Sequence, residues 1–156
     1  MADVAVKLSE DAKSAIVEGL TQSVAETSVE TMKAQNFHWN VVGMAFGPLH
    51  ALFQQIYEDH FDAQDELAER IRALDAHAEG RQSVYLQRSH IKESDGKISD
   101  KEMVRELADD QELLSSTLNS LAELAEQHGD IVTNDIAIQR AKIHAKFAWM
   151  LRSHLA

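Results

Sequence analysis

The side chains in this sequence best suited to chemistry lie between Asn36 and Glu69. They are two histidines, His38 and His50, and two carboxylates, Asp65 and Glu69. Imidazole nitrogen combined with hard carboxylate oxygen is a donor set that suits iron. From Pro48 to about Leu74 the chain reads as one amphipathic helix. Its apolar residues Leu49, Leu52, Phe53, Ile56, Leu67, Ile71 and Leu74 recur at three- and four-residue steps. His50, Gln54, Glu58, Asp65 and Glu69 fall on a second stripe, about 150° from the apolar one at roughly 100° per residue. A stripe facing away from the core meets solvent or another molecule.

Axial distance restricts how these donors can be used. His50 and Asp65 are fifteen residues apart, which on a straight helix is about 22 Å at about 1.5 Å per residue. Ligands of one ion sit within about 2–2.5 Å of it. If the histidines and the carboxylates share an ion, two chains must contribute. A two-fold axis would bring the histidine end of one helix to the acidic end of its mate, because such an interface is isologous. The spacing therefore predicts a metal site between subunits.

Four long helices would have to position these groups. Ser9 is a suitable N-cap, with Glu10 and Asp11 in the first turn where the helix dipole favours acids. Residues 1–8 read as a short tail. The first helix carries Ile16, Val17, Leu20, Val24, Val29 and Met32 and is expected to reach about Phe37, before Gly43 and Gly47-Pro48 interrupt it. The second ends between Ala76 and Gly80. Arg81 to Lys97 is a long connection in which Val84, Tyr85 and Leu86 can form a short helix. Ser99 and Glu102 make a capping box for a third helix, which Gly129 ends. Asp130 or Thr133 begins the fourth, which carries Ile136, Ile143, Phe147, Met150 and Leu151. The expectation is an all-α, single-domain four-helix bundle over residues 1–156, with a long crossover between its second and third helices.

Composition narrows the class further. Hydrophobic residues at 44% and charged residues at 26% are globular values. The absence of cysteine excludes disulfides, thiolate metal sites and cysteine nucleophiles. The N-terminus lacks a signal-peptide pattern, and no eighteen apolar residues run together as a membrane span would need. A cytoplasmic protein is expected. The net charge of −11 disfavours general affinity for nucleic-acid phosphates and suits attraction of cations.

The run N-F-H-W-N-V-x-G, the later L-H, and D-E-L-A-E-R-I-R-A-L resemble the Dps family of ferritin-like mini-ferritins. G-D-x-x-T-N-D and W-M-L-R near the C-terminus extend the resemblance over nearly the whole chain. The resemblance implies a ferritin-like bundle assembled as a hollow homododecamer. It implies a ferroxidase that oxidises Fe(II) with hydrogen peroxide or oxygen, stores ferric mineral and protects against oxidative damage. The family's metal ligands carry over onto His38, His50, Asp65 and Glu69, and zinc can compete for the same donors. The family commonly has an acid one turn after the second histidine, where this chain has Gln54. Trp39 either fills a subunit interface or acts as a redox-active neighbour of the site. Glu126, Asp130 and Asp135 either cap helices or, as the resemblance implies, line a three-fold pore that admits Fe(II). Asp62 and Glu66 are candidates for nucleating mineral.

His60 falls on the apolar side of its helix and is expected to be packed or interfacial, while His77, His90, His128, His144 and His154 read as surface or packing residues. No Glu-x-x-His occurs, so the site design used inside larger ferritin-like bundles is not expected. Lys7 is the one cation before the first helix and the sequence runs to His154-Leu155-Ala156. DNA binding is therefore expected to be weak or absent. The rival reading is a nucleoid-associated structural protein with a secondary metal site.

Overall fold

The computed structural model describes residues 7–156; the expected tail lies, as far as residue 6, outside the described residues. Among the described residues all regular structure is helical: α1 (Glu10–Asn40), α2 (Phe46–Ala73), α3 (Gln82–Arg88), α4 (Asp100–Gln127) and α5 (Ile131–Ser153). None of these helices is long and apolar enough to cross a membrane.

The helix ends follow from local chemistry. Ser9 accepts a hydrogen bond from the Ala12 amide and starts α1. That helix runs one turn beyond the expected Phe37, to Asn40; Val41 is already extended, with φ −62° and ψ 137°, and Gly43 follows with φ +118°. A Cβ there would also meet the Asp100 carboxylate at 2.8 Å. The Ser99–Glu102 capping box forms in full, and Gly129 ends α4 with φ +74°. Asp130 is the cap of α5. The short helix expected within the long connection is α3, which packs on α1.

α1 pairs with α2 and α4 with α5, and α1 packs against α4 to close the bundle. The core has two apolar clusters. One includes Ile16, Leu20, Val29, Leu67, Ile71, Leu114 and Leu118; the other includes Phe37, Leu49, Phe53, Ile56, Met103, Leu107 and Phe147. On each long helix a buried polar residue lies between the two: Glu30 on α1, His60 on α2, Gln111 on α4, and Arg140 with His144 on α5.

Gln111 is the hub of this layer. Its amide nitrogen donates to Glu30 Oε1 (3.0 Å) and His60 Nε2 (2.9 Å). Its carbonyl oxygen accepts from His144 Nδ1 (2.7 Å). His60 Nδ1 donates to Asp59, which also pairs with Arg140 at 2.7 Å. Burial pushes both His60 and His144 below the ordinary histidine value, so each is held neutral with one proton. Burial, then the neighbouring Asp110, pushes the Glu30 carboxyl well above the carboxylate range. Lys33 in turn pairs with Asp110 at 2.7 Å. His60 and His144 are thus packing residues.

Replacing the hub tests the layer. Gln111→Met keeps the volume but leaves buried groups of Glu30, His60 and His144 unpaired, at about 1–3 kcal/mol for each group stranded. Thermal unfolding at fixed protein concentration should show a loss of at least about 2 kcal/mol. A variant melting with the wild type would show that the layer contributes nothing specific.

Candidate metal site between helices

His38 lies in the last turn of α1 and His50 in the first turns of α2, on either side of a tight connection. Reversal of the chain at Gly43 brings the two side by side. The last helical bond of α1 is Val41 N–H to the Phe37 carbonyl, so the His38 carbonyl has no following helical amide to accept. His50 Nδ1 donates to it at 2.7 Å. Reciprocally, His38 Nδ1 donates to the His50 carbonyl at 2.7 Å. A carbonyl can only accept, so both Nδ1 atoms donate, and it is Nε2 of each ring that is left to offer a lone pair to a metal. Fixing one ring nitrogen in this way is how proteins present the other to a metal.

The rings lie face to face, with centroids 3.7 Å apart and planes within 13°. Phe46 stacks on His50 at 5.0 Å, and the edge of Tyr57 meets His38 at 5.3 Å. His38 is buried and His50 half-buried. A histidine binds a metal along its in-plane lone pair at about 2.1 Å. Two nearly parallel planes this far apart contain no common point so close, so a single ion would stand well out of both. As they stand, the two rings can serve two adjacent ions.

Asp65 and Glu69 are exposed and continue along α2 away from the histidines. Among the described residues no group of three or more His, Asp or Glu side chains could hold one metal ion. The fold therefore brings His38 and His50 together and leaves Asp65 and Glu69 apart from them within the chain. Gln54, one turn after His50, donates through Nε2 to Glu58 Oε1 at 2.8 Å. Trp39 is 60% exposed. It lines a cavity of about 500 Å³ with Met32, Lys33, Phe61, Tyr85 and Leu86. A second opening is lined by Tyr57, Glu58, Phe61 and Asp62. Met32, Trp39, Phe61 and Leu86 are exposed on this side of the chain.

The second acidic group divides. Asp130 is buried: its carboxylate accepts from the Thr133 amide (3.0 Å), the Thr133 hydroxyl (2.5 Å) and Arg70 (2.8 Å). These bonds are those of the capping role. Glu126 and Asp135 are exposed, as are Asp62 and Glu66. Phe46 and Tyr57 were not singled out from the sequence. The available signal was their spacing of four and seven residues from His50, which places all three on one face of α2.

Comparison with known proteins agrees with this architecture. Residues 17–156 match the family described as the ferritin-like domain. The chain is similar to DNA protection during starvation protein 2 of Bacillus anthracis, at 34% identity over 90% of this chain and 96% of that protein. It is also similar to the DNA protection during starvation protein of Helicobacter pylori, at 35% identity over 85% and 92% of the two chains. Among solved structures it resembles a Dps protein from Vibrio cholerae O1, described as one of the ferritin-like diiron-carboxylate proteins. That match has a TM-score of 0.91 and 31% identity over 100% of this chain and 98% of that one.

Stability separates the acids that cap from those that are free. Asp130→Ala removes a helix cap and strands Arg70, and should cost about 3 kcal/mol. Asp135→Asn, at an exposed position, should stay within about 0.5 kcal/mol of wild type. Equal melting of the two variants would refute this division.

Proposed function

Because this chain belongs to the Dps family of ferritin-like proteins, we propose that it is an iron-storing ferroxidase acting at sites shared by two subunits of a hollow dodecamer. The observation that carries the proposal is the histidine pair. Two imidazoles are preset, each bonded through Nδ1 so that Nε2 is the nitrogen left over, beside an exposed apolar face, and the acids that would complete the set stand about 22 Å along a straight helix. A two-fold mate would supply Asp65 and Glu69 to His38 and His50. The exposed Met32, Trp39 and Phe61 would be covered in the same step. The match to a solved protein described as diiron-carboxylate supports the choice of iron as substrate.

Two ions side by side suit the reaction. Peroxide takes two electrons when its O–O bond breaks, and two Fe(II) ions give one each. With two protons taken up, the products are two Fe(III) and two waters. Delivering both electrons together avoids releasing a one-electron oxygen radical. The overall negative charge of −11 draws Fe(II) toward the protein. Exposed Glu126 and Asp135 are the pore acids in this reading, and Asp62 and Glu66 contribute to nucleation. Trp39, beside His38 in sequence, lies at the subunit contact. Zinc competes for the same nitrogen and oxygen donors.

The relatives' names attach DNA protection to those proteins. Here the charge disfavours phosphate binding, so protection would come from consuming iron and peroxide. Purified protein mixed with Fe(II) and peroxide should develop ferric absorbance. His50→Ala and Asp65→Ala should each slow it by about tenfold or more. Unchanged rates in both variants would remove the assigned site. Retention of plasmid in a gel shift at moderate salt would instead favour the DNA-binding reading.

A further inference from the structure

The two histidines at the centre of the bundle have every ring nitrogen committed. His60 and His144 meet edge to face, with ring centroids 4.8 Å apart. His60 Nδ1 donates to Asp59, and its Nε2 accepts from the Gln111 NH₂ at 2.9 Å. His144 Nδ1 donates to the Gln111 carbonyl oxygen, and its Nε2 faces the Arg140 guanidinium at 3.3 Å. Each ring therefore has a place for one proton. A second proton on His60 would set N–H against the amide N–H. On His144 it would set N–H, and a positive charge, against the guanidinium. Turning the Gln111 amide over gives no relief. Its NH₂ would then face His144 Nδ1–H, and moving that proton to Nε2 would bring it against Arg140.

The surrounding charges are already spoken for. Among the described residues they are Glu30 and Lys33 on α1, Asp59 on α2, Glu106 and Asp110 on α4, and Arg140 on α5. Asp59 pairs with Arg140 at 2.7 Å, and Lys33 pairs with Asp110 at 2.7 Å and Glu106 at 3.1 Å. Glu30 is fully buried, and burial favours its protonated form. All four long helices contribute side chains to this one section, and both rings are fully buried. Water can reach an extra proton there only if the helices part.

We propose that this layer is an acid switch: proton uptake by His60 and His144 breaks the Gln111 hub and parts the four helices at their centre, loosening the subunit below neutral pH. The switch uses no residue of the metal site. Burial holds both imidazoles below the ordinary value of 6.5, so an opened chain binds protons that the closed bundle refuses. The stability they supply is complete above about pH 6.5 and is lost as the pH falls from there toward the folded values. Glu30 works in the opposite sense. Its raised value makes its contribution shrink as the pH climbs above about 4.5. Comparison with a variant lacking only the histidines isolates their part.

Hydrogen–deuterium exchange of the full-length, metal-free protein, corrected for intrinsic rates, reads the opening. The reference is the double variant His60→Gln with His144→Gln, in which an amide can reproduce each donor and acceptor without titrating. Between about pH 7.5 and about pH 5.0, protection around Glu30, His60, Gln111 and His144 should fall about thirtyfold or more further in wild type than in this variant. Equal falls in the two proteins would overturn the switch. Wild type alone gives a second reading, through the nitrogen-15 shifts of its histidines in sedimented protein. His60 and His144 should charge only where protection is lost. Rings that charge inside a fully protected bundle would overturn the switch even if the double variant does not fold.

Discussion

A straight α-helix cannot bring residues fifteen apart to one point, and the arrangement of this molecule follows from that stiffness. α2 carries a nitrogen donor near its start and oxygen donors more than four turns later. The chain reverses before α2, so what the fold can gather within one subunit is the end of α1 and the start of α2. It gathers two histidines there and ties each to the other's backbone. The result is a pair of imidazoles fixed to each other's backbone, which the proposed function uses as half of a donor set. Rigidity matters because binding then orders fewer groups.

The interior shows the complementary decision. Ferritin-like bundles can hold metal at their centre with inward-facing carboxylates and histidines. The centre of this bundle also has a glutamate, an aspartate and two histidines, but an amide and a guanidinium join them. Gln111 uses both ends of its amide to fix the histidine protons, and Arg140 supplies the positive charge beside Asp59. The layer separates two apolar clusters and sets how the four helices register against one another. The core thus has its polar groups paired with one another, and the proposed metal site lies instead at the surface, where Trp39, Phe61 and Met32 are exposed.

Much of this was legible in the sequence. Helix starts were visible because Ser9, Ser99 and Asp130 cap through their own short side chains, and the stop at Gly129 because a left-handed residue favours glycine. The outward stripe of α2 was visible because helical periodicity assigns faces without reference to neighbours. The end of α1 was less so: His38, Trp39 and Asn40 neither favour nor forbid helix, and the chain turns extended at Val41, ahead of Gly43. Asp130 was ambiguous because an acid at a helix start can cap or face a pore, and only its partner Arg70, sixty residues away, distinguishes the two.

The sequence by itself determined the residue types, their spacing along each rod and the face each presents, because these depend on contacts within a few residues. The tertiary structure alone decided how rings and amides meet across elements. It set the parallel stack of His38 on His50, the proton on each Nδ1, the contacts of Phe46 and Tyr57, and the hub at Gln111. Those depend on groups far apart in the chain being held within a few ångströms, and periodicity carries no information about such distances.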